Sequence, residues 1–294
     1  MKNKELIQEE LATVKKLTNI YDDKRITLND IGWTSRVYLI DNGRIVFKFP
    51  RNELSRIEYA REVETLKLLR QQQFNVLVPT LNWSTQNNDY ICLFGIEGKL
   101  LSKDVISQLS EEERIKIGTD LGLFLKQLHS LKPEKETYTM TVDEEITEHQ
   151  EKYLMSLPVL KTYFNTEQLA IIEDLFMKEA PIIMSDLGED LVFSHGDLGY
   201  YNIILSENHK IGVIDFGDAG FHDRSLDFVG MEDQIIKETA IITYGDDEIL
   251  RKKIDIRQKT LPILEILFYD GKNDKAGVER CIRLIESCLN LANR

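Results

Sequence analysis

The sequence predicts an α+β protein of two lobes, a small N-terminal lobe rich in strands over residues 1–98 and a larger helical lobe over residues 99–294. Three observations carry this expectation. Short alternating or β-branched runs crowd the first third of the chain, and apolar stripes at helical spacing dominate from about residue 109. A polar loop and a tight hairpin interrupt that helical stretch near residue 200. A chain of 294 residues with 42% apolar side chains can bury a sizeable core divided between lobes.

Residues 5–16 alternate charged and apolar side chains at helical spacing and predict a first helix. Residues 26–39 and 44–49 read as strands around Asp41-Asn42-Gly43, because an Asn-Gly pair between β-rich runs is the strongest short hairpin signal. Residues 53–70 set Ile57, Val63, Leu66 and Leu69 near one face among charges, a helix of the small lobe. Residues 76–83 and 90–96 predict two further strands, the second ending in the hinge Leu93-Phe94-Gly95-Ile96-Glu97-Gly98. Beyond it Leu121, Phe124, Leu125 and Leu128 form one apolar stripe, and no repeat or low-complexity linker intervenes.

Chemistry concentrates at residues 195–202, His-Gly-Asp-Leu-Gly-Tyr-Tyr-Asn, and residues 215–218, Asp-Phe-Gly-Asp. Asp197 and Asn202 stand five residues apart, which suits a tight loop whose ends face different partners. Between the motifs, Ile203-Ile204-Leu205 and Ile211-Gly212-Val213-Ile214 flank the polar stretch 206–210, a hairpin that returns Asn202 to the side of Asp215. One carboxylate to orient a hydroxyl nucleophile, then an amide oxygen and a second carboxylate to hold magnesium, are the parts phosphoryl transfer needs. Those roles fall to Asp197 as catalytic base and to Asn202 and Asp215 as metal ligands. Any one of these Asp residues could be a simple turn former. The ordered set at this spacing is what points to catalysis.

His195-Gly196-Asp197-Leu198, Asn202 and Ile214-Asp215-Phe216-Gly217-Asp218-Ala219-Gly220 resemble the aminoglycoside phosphotransferases, antibiotic-resistance kinases with a protein-kinase-like fold. The likeness extends more weakly over nearly the whole chain. With Asp223 and Asp227-Phe228 it is most similar to the branch that phosphorylates the 2″-hydroxyl of gentamicin-type and kanamycin-type compounds, while macrolide, choline and other small-molecule kinases share the core motif.

The resemblance implies ATP or GTP as phosphoryl donor, Mg2+ as metal and a cleft between the lobes as nucleotide site. Lys48, a lone charge in the apolar strand 45–49, matches the lysine that contacts nucleotide phosphates, and Glu62 the helix glutamate that pairs with it. Glu58, four residues before Glu62 and so on its helix face, and Glu64 are alternatives to Glu62, and Lys48 could instead be an edge-strand charge. Residues 30–37 occupy the place of a phosphate-covering loop, with backbone amides of residues 33–35 and the Ser35 hydroxyl as its contacts. Backbone groups around Phe94 and Ile96 would pair with the base, a contact that leaves ATP and GTP undistinguished.

Acidic residues follow the second motif: Asp218, Asp223, Asp227, Glu232, Asp233 and then Asp246-Asp247-Glu248. In the resembling family, carboxylates of the helical lobe hold the ammonium groups of the acceptor, and Glu232 and Asp233 are the candidates here. Helix capping is the competing account of the same residues. A net charge of -13, from 50 acidic and 37 basic residues, disfavours nucleic acid and anionic membrane as partners and suits a small cationic substrate, although acidity also serves solubility. Cys92, Cys281 and Cys288 lack paired metal-site spacing, and Cys281 and Cys288, seven apart in a helical pattern, are expected to be buried packing residues. The charged N-terminus resembles no secretory leader and no long apolar run occurs, so a cytoplasmic protein is expected. Rival readings are a kinase for a macrolide, choline, homoserine or methylthioribose, and an inactive kinase-like binding module. Against the latter stand the intact Lys48, Asp197, Asn202 and Asp215.

Overall fold

Helix α1 (Lys2–Thr18) opens the chain and lays Val14 against the sheet that follows. The structure, a computed structural model, describes residues 2–32, 34–133 and 137–291. Strands β1 (Ile26–Asn29), β2 (Ser35–Ile40) and β3 (Ile45–Pro50) form an antiparallel meander. Its β2–β3 turn carries three left-handed residues, Asp41, Asn42 and Gly43 at φ 48°, 56° and 90°, which is why Asn and Gly occur there. Helix α2 (Glu53–Leu69) begins at Asn52, whose side chain accepts the Ser55 amide hydrogen. Strands β4 (Thr80–Ser84) and β5 (Ile91–Phe94) complete a sheet of order β1-β2-β3-β5-β4.

Next come β6 (Lys99–Leu100), α3 (Lys103–Ser107) and α4 (Glu111–Leu128), the last started by a capping box between Ser110 and Glu113. Helices α5 (Val142–Tyr163), α6 (Thr166–Asp174) and α7 (Ala180–Asp186) precede β7 (Leu191–Ser194). The hairpin β8 (Ile203–Leu205) and β9 (Ile211–Val213) is followed by β10 (Gly220–Asp223), α8 (Leu226–Val229), α9 (Gln234–Gly245), α10 (Glu248–Gly271) and α11 (Lys275–Cys288). The architecture is thus mixed α+β, with an antiparallel sheet first and a helical C-terminal part.

Contacts divide the chain into two compact units. The first comprises Met1–Tyr138, His195–Ala219 and Gly230–Tyr244. Its sheet packs Tyr38, Ile40, Phe47, Phe49 and Cys92 around Val14, and a buried Arg36–Glu10 pair ties β2 to α1 at 2.6 Å. Strands β6, β8 and β9 make a small sheet, and α4 meets α9 where a Cβ on Gly118 or Gly122 would lie 2.5 or 2.6 Å from carbonyl oxygens of Ile236 or Ala240. The second unit comprises Thr139–Ser194, Gly220–Val229 and Gly245–Arg294. Apolar side chains of α5, α6, α7, α10 and α11 form its core, beside a buried ion network of Asp223, Lys253, Arg257 and Glu145.

Three expectations are corrected. The run 26–39 is two strands, because the chain leaves the sheet at Asp30, whose backbone and side chain both accept hydrogen bonds from Arg51. Ile57 is 56% exposed, while Tyr59 and Glu62 take the inward face of α2 with Val63, Leu66 and Leu69. Cys92 and Cys281 are buried, but Cys288 lies exposed near the end of α11. No helix among the described residues is long and apolar enough to cross a membrane.

Candidate active site

The site lies wholly within the first unit and starts from the pleat of β3. Alternation turns Lys48 inward, opposite Val37 on β2 and Ile91 on β5, and the residue is only 5% exposed. Its Nζ donates to Glu62 Oε2 at 2.5 Å and to Asp215 Oδ1 at 2.8 Å. Burial alone would drive the Lys48 proton off; the charges of Asp215 and Glu62 outweigh it and hold the pKa above its ordinary value. For Asp215, burial is likewise outweighed, chiefly by Lys48, and its pKa falls. Of the candidate glutamates on α2, Glu62 is the one that meets Lys48. Glu64 faces solvent toward Lys67, and Glu58 turns toward Asp218 and Asp215, its pKa raised by partial burial and then by their charges.

The hairpin performs the return expected of it: the Ile214 amide donates to the Asn202 carbonyl at 3.0 Å, bringing the loop and the second motif side by side. Asp215 itself sits at φ 66°, a left-handed conformation uncommon for a residue with a side chain. In the loop, Asn202 Nδ2 donates to the Asp197 carbonyl at 2.8 Å and to Asp197 Oδ2 at 3.1 Å. His195 is fully buried; its Nε2 bonds the Ile214 carbonyl at 2.9 Å and its Nδ1 accepts the Asp197 amide at 3.3 Å. Those partners require the Nε2–H tautomer, so the imidazole braces both motifs rather than reaching for a proton. Gly196, at φ 84°, lets the chain pass Asp218, whose carbonyl oxygen would stand 2.3 Å from a Cβ there. Burial, then the charges of Asp218 and Asp215, push the Asp197 carboxyl up to about 7 against hydrogen bonds from Tyr201 and Asn202.

The remaining candidates are spread around this centre. Ser35 is buried and its Oγ accepts the Tyr59 phenol at 2.8 Å, while Trp33 lies outside the described residues. Phe94 is 50% exposed at the end of β5, and the next amide, Gly95, bonds the Arg44 carbonyl at 3.0 Å. Ile96 is buried over Gly212 of β9, where an added Cβ would meet its Cδ1 at 2.6 Å. Glu232 pairs with Lys103 of α3 at 2.5 Å. Asp233 caps α9 by accepting the Ile236 amide at 3.0 Å and faces Arg114 of α4 at 3.4 Å. Much of the downstream acidity is structural: Asp223 is buried against Lys253, Asp246 pairs with Arg251, and Asp247 caps α10.

One participant was missed from sequence. Tyr201 donates its phenol to Asp197 Oδ1 at 2.8 Å. Its place directly before Asn202 was the available signal, but a side chain's reach back over four residues depends on the loop's fold.

Asp215 and Asn202 offer one carboxylate and one carboxamide oxygen, and among the described residues no cluster of three or more His, Cys, Asp or Glu could hold a metal alone. That donor set fits magnesium, which takes hard oxygen ligands and completes its shell with phosphate oxygens and water.

A buried lysine–glutamate pair beneath an antiparallel sheet, joined to a carboxylate loop, a hairpin and a second carboxylate, defines a kinase-like phosphotransferase fold. The chain belongs to the APH phosphotransferase enzyme family, whose profile matches residues 25–240. Solved structures share the fold over almost the entire chain. The GDP complex of aminoglycoside 2'-phosphotransferase-IIIa superposes with a TM-score of 0.79 at 16% identity, covering 96% of this chain and 98% of that one. The streptomycin–ATP ternary complex of APH(2″)-IIa gives 0.69 at 20% identity, covering 94% and 97%. Macrolide 2'-phosphotransferase MphH from Brachybacterium faecium gives 0.66 at 16% identity, covering 94% and 98%.

Proposed function

We propose that this chain is a nucleoside-triphosphate-dependent O-phosphotransferase that phosphorylates a hydroxyl of an aminoglycoside antibiotic and so confers resistance. The observation that carries the reading is the meeting of Lys48 with Glu62 and Asp215, at 2.5 and 2.8 Å, beside a loop in which Asn202 holds Asp197. In this reading Asp197 accepts a hydrogen bond from the acceptor alcohol and takes its proton as the oxygen attacks the γ-phosphorus. The bond from that phosphorus to the departing nucleoside diphosphate breaks as the new ester bond forms. Lys48, fixed by Glu62, meets the charge of the phosphates, and Asp215 and Asn202 would hold magnesium, which supplies charge neutralisation when bound. Ser35 would border the phosphates, and backbone groups near Phe94 and Ile96 the base of ATP or GTP. The lobe boundary near Gly98 then separates nucleotide from acceptor contacts.

For the acceptor, the reading rests on charge. The chain carries net charge -13, Asp218 and Asp215 stand near Asp197, and Glu58 stands near both of them. Both downstream candidates are engaged, Glu232 with the exposed Lys103 and Asp233 with a cap amide and Arg114; Glu232 is the more exposed of the two, and an acceptor ammonium would take the place of Lys103 there. The reading carries with it a cytoplasmic location, where nucleoside triphosphate is supplied. The test is nucleoside-diphosphate release from ATP and from GTP with kanamycin, gentamicin, a macrolide, choline and homoserine, using Asp197→Asn as blank. Release with kanamycin or gentamicin that the variant lacks is the expected result. Turnover only with another alcohol keeps the phosphotransfer and discards the antibiotic.

A further inference from the structure

We propose that Tyr201 is a positioning residue for the acceptor: its phenol fixes one oxygen of the Asp197 carboxylate, and its ring, seated on Gly199, forms a wall beside it. The inference rests on the reading of Asp197 as the group that receives the acceptor hydroxyl.

Among the described residues the Asp197 carboxylate has two donors, Asn202 Nδ2 on Oδ2 at 3.1 Å and Tyr201 Oη on Oδ1 at 2.8 Å. The Asn202 amide also serves the Asp197 carbonyl at 2.8 Å, so its bond to the carboxylate is the longer of its two. Tyr201 therefore supplies the shorter anchor, and with both oxygens held the carboxylate plane cannot turn. Each carboxylate oxygen has two lone pairs, which leaves Oδ1 able to accept an acceptor hydroxyl while Tyr201 stays in place.

Burial does not explain this tyrosine. Tyr38, Tyr59 and Tyr153 are at most 2% exposed, but Tyr201 is 43% exposed. Its ring meets Tyr200 edge-on at 5.3 Å between centroids and lies over Gly199, where a Cβ would stand 2.7 Å from ring carbons Cε1 and Cζ and 3.0 Å from the hydroxyl. Gly199 has φ -133° and ψ 172°, extended backbone open to any residue, so the ring and not the backbone asks for glycine. Beneath it Gly199 bridges Gly230, where a Cβ would stand 2.5 Å from the Leu198 carbonyl oxygen. Two glycines thin the backbone under one exposed ring.

The experiment uses the full chain and the fastest acceptor of the panel above. Tyr201→Phe keeps the ring and removes the anchor, so kcat should fall about tenfold or more while acceptor KM and nucleotide affinity stay within about twofold. Gly199→Ala keeps the phenol but lifts the ring, and should reproduce that fall. The two changes combined should lose no more than the larger single loss, because both break one contact. Tyr201→Ala, which removes the wall as well, should also raise acceptor KM. Losses that multiply in the double variant overturn the proposal, and so, even if Gly199→Ala fails to fold, does a Tyr201→Phe enzyme with kcat within about twofold of wild type. If Asp197→Asn keeps more than about a tenth of wild-type turnover, or the wild type is silent with every acceptor, the parent reading fails instead.

Discussion

Lys48 shows how one side chain comes to be charged in an apolar strand. An isolated buried ammonium would lose its proton; two carboxylates from distant parts of the chain, Glu62 and Asp215, keep it. Glu62→Gln removes half of that support, and we expect kcat/KM for nucleotide to fall about 10- to 100-fold with the fold retained, as steady-state kinetics and a circular dichroism spectrum would show. A loss below about twofold would mean that Asp215 positions Lys48 alone. Asp197 gives a second expectation. A base must be ionised, and burial with two acidic neighbours pushes this carboxyl up to about 7. As pH falls through that pKa the base is protonated, so log kcat/KM should drop toward unit slope, with the midpoint at or below about 7 because bound cation favours the ionised form. A profile flat from about pH 8 down to about 4, through the ordinary carboxylate range, would remove Asp197 as the base. At this scale the sequence was informative where residues are contiguous. His195 to Asn202 and Asp215 could be read together, whereas the phenol of Tyr201 on Asp197 depends on a loop conformation that no spacing announces.

Among the elements, α4 and α9 illustrate a conflict between local preference and packing. Glycine in a helix interior costs about 1 kcal/mol relative to alanine. Yet at Gly122 an added Cβ would stand 2.6 Å from the Ala240 carbonyl oxygen and 2.7 Å from Thr243 Cβ. Packing should win, so Gly122→Ala is expected to destabilise by about 1–3 kcal/mol in urea unfolding, and an unchanged or raised midpoint would show that α9 can move aside. Helices and hairpins with strong local signals were legible: the Asn-Gly turn, the stripe of α4 and the Ile-rich hairpin all appear. Ile57 faces outward because α2 has two faces with apolar residues, and only the packing of the helix decides that Tyr59 and Glu62 point inward. The strand run 26–39 divides for a similar reason: Arg51, on another segment, draws Asp30 away.

For the molecule as a whole, the second unit is organised around charges as well as apolar packing. Arg257 is bonded to Glu145 through two nitrogens at 2.8 and 2.5 Å and to Ser225 at 2.7 Å, and Asp223 lies within 3.7 Å. Replacing it by methionine leaves Glu145 buried without its bidentate partner and Asp223 with Lys253 as its remaining cation, so Arg257→Met should cost about 3–5 kcal/mol of unfolding free energy by denaturant titration. A cost under about 1 kcal/mol would show that Lys253 suffices. The pH dependence has a definite sign. Burial would raise the Asp223 pKa, but Arg257 and then Lys253 outweigh it and hold it below 3.8. A carboxylate depressed in the folded state contributes its stability above the unfolded pKa and loses it as pH falls through the folded one, so this contribution is complete above about pH 5 and fades below about pH 4.

Periodicity and turn chemistry, local properties written along the chain, made the α+β class and the order of most elements legible; the contiguous motifs marked Asp197, Asn202 and Asp215 as candidates, and family resemblance added Lys48. Tertiary structure decided which glutamate of α2 meets Lys48, which acidic residues cap helices or neutralise buried cations, and that Tyr201 lies against Asp197. A carboxylate reads the same in sequence whether it faces an amide, an arginine or solvent; only its neighbours in space set its charge and its task.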